Sequence, residues 1–346
     1  MDTVSAQIVQ PQPPPAAIMM QMSMGFIVSQ AISVAAKLYL ADHLKTGGKT
    51  LSELAGLTAT HEPSLYRLLR GLTSVGVFQR DADGRYTNSP LSEVLQADHP
   101  QSLRAAAHMI CDREHWNSHG NLLHSVKTGE IAFNHTFGMP VFPYFAENPE
   151  AARVFDDAMT SFSAPVAEAV VATYDFSEAK TIADIAGGHG LLLATVLKAN
   201  PPAKGILFDQ PQVITGAPEV LKTNGVADRV ETVGGNFFTE IPVEADIYLM
   251  KFIIHDWNDE QSVEILNNLA KSAKPGAKVL LVESVVEEDD AIASMSKVMD
   301  LNMLAMTGGK ERTATEYAAL FEKSGFKLTR VIPTPSPMQI VEAVKV

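Results

Sequence analysis

The sequence contains one cysteine, Cys111, so an internal disulfide is excluded, and no cluster of His and Cys with zinc-ligand spacing accompanies it. Cys111 reads as a small buried hydrophobe. Positive charge is scarce: 27 Lys and Arg face 40 Asp and Glu, a net charge of −13. That balance argues against DNA or an anionic membrane surface as partner, since both are held by clustered Lys and Arg. A small-molecule partner is expected instead. The start lacks the basic residues of a signal peptide, and Asp2 with the proline-rich residues 10–16 reads as a disordered lead-in over residues 1–17. The most apolar segment, residues 18–40, is interrupted by Gln21, Ser23, Ser29, Gln30, Ser33 and Lys37, so no membrane span is expected and the protein is read as cytoplasmic.

What is present suits an ordinary globular chain of two domains: 346 residues, 46% hydrophobic and 19% charged. Residues 18–44 read as helix with apolar residues on nearly every face, which demands burial inside a domain or against a second copy. A homodimer is the expectation. Residues 50–57 and 61–75 read as helices, the first opened by the capping box Thr50-Leu-Ser-Glu53, and Asp83-Gly84 marks a hairpin within residues 77–88. Residues 18–100 thus outline a winged helix, a shape often used to read DNA. They carry no basic face, since residues 1–100 hold seven Lys and Arg against eight Asp and Glu, and a dimerisation domain is expected. Residues 101–180 read as a helical, substrate-covering region whose bulky side chains, Trp116 and Phe155 among them, include candidates for the wall of a pocket.

Residues 181–346 alternate strands and helices, predicting an α/β Rossmann-like parallel sheet covered on both faces, with ligands at the carboxyl ends of its strands. Residues 181–190, TIADIAGGHG, read as a strand ending near Asp184, then a tight turn with Gly187, Gly188 and Gly190, then a helix. This brings bare backbone to a nucleotide-like ligand, but a dinucleotide fingerprint is incomplete because Leu193 stands where its third glycine belongs. Asp209 follows Gly190 by 19 residues, about one helix and one strand, where a carboxylate can take both ribose hydroxyls. After the third strand Asn236 is a candidate for an adenine or ribose edge and Phe237 for stacking on a purine. His255 lies at the rim after the fourth strand, Glu283 ends the fifth, and Glu311 precedes a capped helix. An imidazole oriented by carboxylates is an arrangement for proton abstraction, although a capping histidine and acids paired with Lys310 and Arg312 would equally account for each residue singly.

Taken together, Leu207-Phe208-Asp209-Gln210-Pro211, the run from Lys251 to Trp257 ending in His-Asp-Trp, and Gly308 to Thr313 (GGKERT) resemble the S-adenosylmethionine-dependent O-methyltransferases of small molecules. That family includes plant caffeic acid and hydroxyindole enzymes and bacterial ones acting on polyketide or phenazine hydroxyls. The resemblance runs from residue 18 to the C-terminus and implies a seven-stranded methyltransferase sheet over 181–346. It implies His255 as base flanked by Glu283 and Glu311, and S-adenosylmethionine held by Asp184, Gly187, Gly188, Gly190, Asp209, Gln210, Gly235, Asn236, Phe237 and Lys251. Met159 and Met303 match methionines that sandwich an aromatic acceptor, and Asp256, Phe155 and Trp116 complete the expected acceptor side. Ala186 replaces the usual first glycine of the turn, which fits if its φ is negative. The implied activity is methyl transfer to a phenolic or enolic hydroxyl, with no metal required. Two other readings are a ligand-responsive winged-helix regulator of DNA and an amine or nucleic-acid methyltransferase. For the latter, Asn200-Pro201-Pro202 follows the first helix, where it reads as a helix stop.

Overall fold

The computed structural model describes residues 13–346 and divides them after Cys111, where the sequence suggested boundaries at 100 and 180. Residues 112–180 belong with the sheet in one compact unit, Asp112–Val346. Most of the expected lead-in lies outside the described residues, and the part from Pro15 onward is already helix.

In the first unit, helices Pro15–Ser23 and Gly25–Lys37 meet at Met24. The segment Pro15–Lys37 is long and apolar enough, at a mean hydropathy of 1.5, to cross a membrane by length and composition, a property the interrupting polar residues had suggested it lacks. Its Met19, Met20, Met22 and Phe26 are exposed in the single chain. Thr50 caps helix Leu51–Thr58 through the expected reciprocal box with Glu53. Helix Glu62–Ser74 follows, then the antiparallel strands β1 (Phe78–Arg80) and β2 (Tyr86–Asn88), giving the winged-helix outline around Leu54, Leu69, Phe78 and Tyr86.

The second unit opens with short helices and the 25-residue helix Pro149–Thr173. The sheet follows: β3 (Thr181–Ile185), β4 (Lys204–Asp209), β5 (Val230–Gly234), β6 (Ile247–Lys251) and β7 (Lys278–Glu283), then a short parallel pair β8 (Val285–Val286) and β9 (Arg312–Thr313), and finally β10 (Phe326–Pro333) and β11 (Gln339–Lys345). The main sheet has seven strands in the order β10-β11-β7-β6-β3-β4-β5. β3 to β7 run parallel, whereas β11 is antiparallel to both β7 and β10, so the sheet is mixed rather than wholly parallel. Side chains alternate between two cores, as strand geometry requires: Ile182, Leu249 and Val282 face one, Ala183, Met250 and Leu281 the other. The expected helix at 212–223 is split into Pro211–Ile214 and Ala217–Thr223, because Pro218 has no N–H for an interior helical bond and takes a first-turn position.

Candidate active site

Three chain segments converge beyond the ends of β6 and β7. Past Lys251 the chain passes through Phe252 at φ 58°, a left-handed conformation rare for a bulky residue, and enters the 3₁₀ turn Ile254–Asp256 before Asn258 caps helix Asp259–Ser272. Glu283 fixes this turn: its Oε1 accepts from the N–H groups of Ile253 (3.0 Å) and Ile254 (2.9 Å). The third segment brings Glu311. Gly309 is obligatory there, since a Cβ would stand 1.9 Å from the His255 carbonyl oxygen, and the Lys310 N–H donates to that same oxygen at 2.8 Å. Arg312, wholly buried, binds the two segments together by donating to the carbonyls of Ile254 and Trp257 and to Asp259 Oδ1.

The result is an oriented imidazole. His255 Nδ1 lies 3.0 Å from Glu311 Oε1 and 3.6 Å from Glu283 Oε2, while Nε2 has only a distant approach, 3.9 Å, to Asp256 Oδ1. With Nδ1–H held by the carboxylates, Nε2 is the nitrogen left to exchange a proton. Lys310 pairs with Glu316 and Arg312 with Asp259, so neither cation neutralises the two acids at the histidine. Burial opposes the imidazolium, but the charges of Glu283, Asp256 and Glu311 outweigh it and raise His255 to about 10. Burial in turn pushes Glu283 up to about 7 and Asp256 to about 6, against the pull of His255. These groups therefore share protons as a cluster. Among the described residues, Glu283 Oε2, Glu311 Oε2 and the hydroxyl of the buried Tyr317 have no hydrogen-bond partner.

The glycine turn lies beside this cluster, after β3. Gly188 and Gly190 have φ of 61° and 82°, and Gly190 precedes helix Leu191–Ala199. A Cβ at Gly187 would strike Asp184 and Leu207, and one at Gly235 the Phe208 ring. Asp209 ties the turn together, accepting from the N–H groups of Gly188 (2.7 Å) and Gln210 (2.6 Å). Burial raises Asp209 above the ordinary carboxylate range in spite of those bonds. Asp184 is buried beneath the turn, and its Oδ2 has no hydrogen-bond partner among the described residues. Burial raises it to about 7, and burial lowers Lys251 to about 8, each opposed by the attraction of the other. The Lys251 Nζ stands 4.2 Å over the Phe252 ring, which also stacks on the His255 ring at 5.9 Å. Ala186 differs from expectation: its φ is +56°, so an L side chain occupies a position suited to glycine, held by its N–H bond to Phe208 O. Strain at Ala186 and Phe252, each just past a central strand, marks the rim where the functional groups meet.

Comparison with known proteins gives this arrangement a family. Residues 119–327 match the O-methyltransferase domain, and residues 20–98 match the O-methyltransferase dimerisation domain. This chain belongs to the O-methyltransferase family. It is 43% identical over 330 residues to the phenazine O-methyltransferase PhzM of Lysobacter antibioticus, covering 95% of this chain and 96% of the relative. It is 40% identical over 316 residues to the mitomycin biosynthesis 6-O-methyltransferase of Streptomyces lavendulae, covering 91% and 90%. The crystal structure of human N-acetylserotonin methyltransferase in complex with SAM superposes with a TM-score of 0.89 at 25% identity, covering 98% of this chain and 99% of that one. The O-methyltransferase family uses S-adenosylmethionine, and this chain is an enzyme of that class.

The O-methyltransferase brings together His255, Asp256, Glu283 and Glu311, and separately the turn glycines with Asp184, Asp209, Gln210 and Lys251. Asn236 uses its Oδ1 locally, accepting the Phe238 N–H at 2.9 Å, which leaves its amide donors for a ligand edge. Phe237 and Phe155 are linked within a larger aromatic cluster: Phe155 touches Phe142, Phe142 touches Trp257, and Trp257 touches Phe237. Met159 lies one helical turn beyond Phe155, Met303 is buried in helix Met295–Met306, and Trp116 lies on helix Arg113–Gly120, which packs against that helix. Sequence reasoning missed Asp300, whose Oδ1 accepts the Glu311 N–H at 2.8 Å, and Phe252. The single acid of helix Met295–Met306 was the available signal for the first; nothing local marks a left-handed phenylalanine.

Proposed function

We propose that this enzyme methylates a phenolic or enolic hydroxyl of a small molecule, with His255 as general base. The observation that carries this is the histidine itself, with Nδ1 against two buried carboxylates and Nε2 free. The cofactor sulfonium supplies an electrophilic methyl group. The residues present fit such a group: Gly187, Gly188 and Gly190 offer close backbone approach, Asp209 suits the ribose hydroxyls, the Asn236 amide and Phe237 suit adenine, and Asp184 and Lys251 underlie the turn. Phe155, Met159, Trp116, Met303 and Asp256 would flank the acceptor. Nε2 then takes the hydroxyl proton as the oxygen attacks, and Glu283 and Glu311 stabilise the imidazolium formed. With His255 raised to about 10, only its neutral fraction acts as the base, and that fraction grows as pH rises toward 10. The exposed methionines of Pro15–Lys37 and the dimerisation-domain match support a homodimer through the first unit.

The test is radiolabelled methyl transfer to a panel of phenols and enols by wild type and His255→Ala. The expected loss in kcat is about 10² to 10⁴, with unchanged affinity for S-adenosylmethionine by calorimetry. Full activity in the variant would remove the general-base assignment.

A further inference from the structure

The base is only as well placed as Glu311, and Glu311 sits at the end of a glycine loop. Helix Met295–Met306 grips that loop at both ends. The Gly308 N–H donates to the Met303 carbonyl at 2.8 Å, and the Glu311 N–H donates to Asp300 Oδ1, also at 2.8 Å. Asp300 and Met303 are three apart, so they share a helix face. Between the two anchors, the Lys310 N–H donates to the His255 carbonyl. The neighbours of Glu311 are occupied elsewhere, Lys310 with Glu316 and Arg312 with Asp259. We propose that Asp300 is a positioning residue that sets the register of the Glu311 carboxylate against His255 Nδ1. It is the lone acid of its helix, and its carboxylate on a backbone N–H is a charge-assisted bond, stronger than a neutral one. This inference rests on the reading of His255 as base. The charged and titratable groups facing Glu311 are His255, Glu283, Asp256, Asp300 and Tyr317.

The experiment compares full-length wild type, Asp300→Ala, Asp300→Asn and His255→Ala. His255 is titrated by NMR without ligands, and turnover is measured with S-adenosylmethionine and the best phenol of the panel. Asp300→Ala is expected to lower the His255 midpoint by about one pH unit as Glu311 loosens. On the high-pH plateau kcat should also fall about 10- to 100-fold, the cost of losing a hydrogen bond that orients a functional side chain, leaving KM for S-adenosylmethionine unchanged. Asp300→Asn keeps an acceptor oxygen and should stay within a few-fold of wild type. A wild-type titration and turnover in Asp300→Ala overturns the proposal, as does an Asn variant as impaired as the Ala one. If Asp300→Ala does not fold, exchange of the Glu311 amide decides: protection in wild type and Asp300→Asn supports the anchor, and rapid exchange in both overturns it. An active His255→Ala would instead refute the base assignment, while the midpoint shift would still report the anchor.

Discussion

Glu283→Gln is the cleanest electrostatic perturbation of the base. The amide is isosteric, and its oxygen can still accept from Ile253 and Ile254, so the turn carrying His255 keeps its supports. What is lost is a buried negative charge 3.6 Å from His255 Nδ1. At an effective dielectric of about 20 that charge is worth about 5 kcal/mol, an upper figure equivalent to about three pKa units. Measured effects of one neighbouring charge run from about one to three. The sign is fixed: burial already disfavours the imidazolium, so removing a carboxylate lowers His255 from about 10 toward neutrality. An NMR titration of His255 in the ligand-free enzyme should show the midpoint about one to three pH units lower. In wild type, kcat/KM should rise with pH toward about 10 as neutral imidazole appears. In the variant that base ionisation should appear at lower pH, with a lower plateau because the base is weaker. A midpoint unchanged or moved upward would refute the electrostatic account.

Two stability predictions follow from the same structure. Ala186→Gly relieves a left-handed alanine at the cofactor turn, and denaturant unfolding should show equal or greater stability, by up to about 1 kcal/mol after the flexibility of glycine in the unfolded chain is counted; a clear loss would contradict the strain. Glu342 is buried, which raises its pKa, but bonds from Arg330, Thr329 and Tyr174 prevail and hold it down at about 2. Because the folded value lies below the unfolded one, its contribution is full above about pH 4.5 and is lost as pH falls toward 2. Glu342→Gln should therefore lower the melting temperature at pH 7 more than at pH 3, and an equal effect at both would refute the pairing.

Where local chemistry dictates local structure, the sequence was readable. Thr50 and Thr313 cap helices in reciprocal boxes with Glu53 and Glu316, and the apolar runs at 181–185 and 278–283 are β3 and β7. Residues at strand ends were readable too, because the sheet delivers them to one rim: His255, Glu283 and Asp209 are where the alternation puts them. Features decided by tertiary contact were not. The backbone of Ala186 is set by a bond to Phe208 on the next strand, and the antiparallel direction of β11 by its place between β7 and β10. Asp300 acquires a role only because the loop after its own helix returns to it. The aromatic cluster that links Phe155 to Phe237 likewise joins three distant segments through Trp257.

Methyl transfer from S-adenosylmethionine to oxygen at this rim is tested most directly by incubating the enzyme with methyl-labelled cofactor and the phenol panel and locating the label by mass spectrometry. Label is expected on a single hydroxyl oxygen, with S-adenosylhomocysteine formed in equal amount. Failure to bind S-adenosylmethionine by calorimetry, or label carried on nitrogen or carbon, would contradict it.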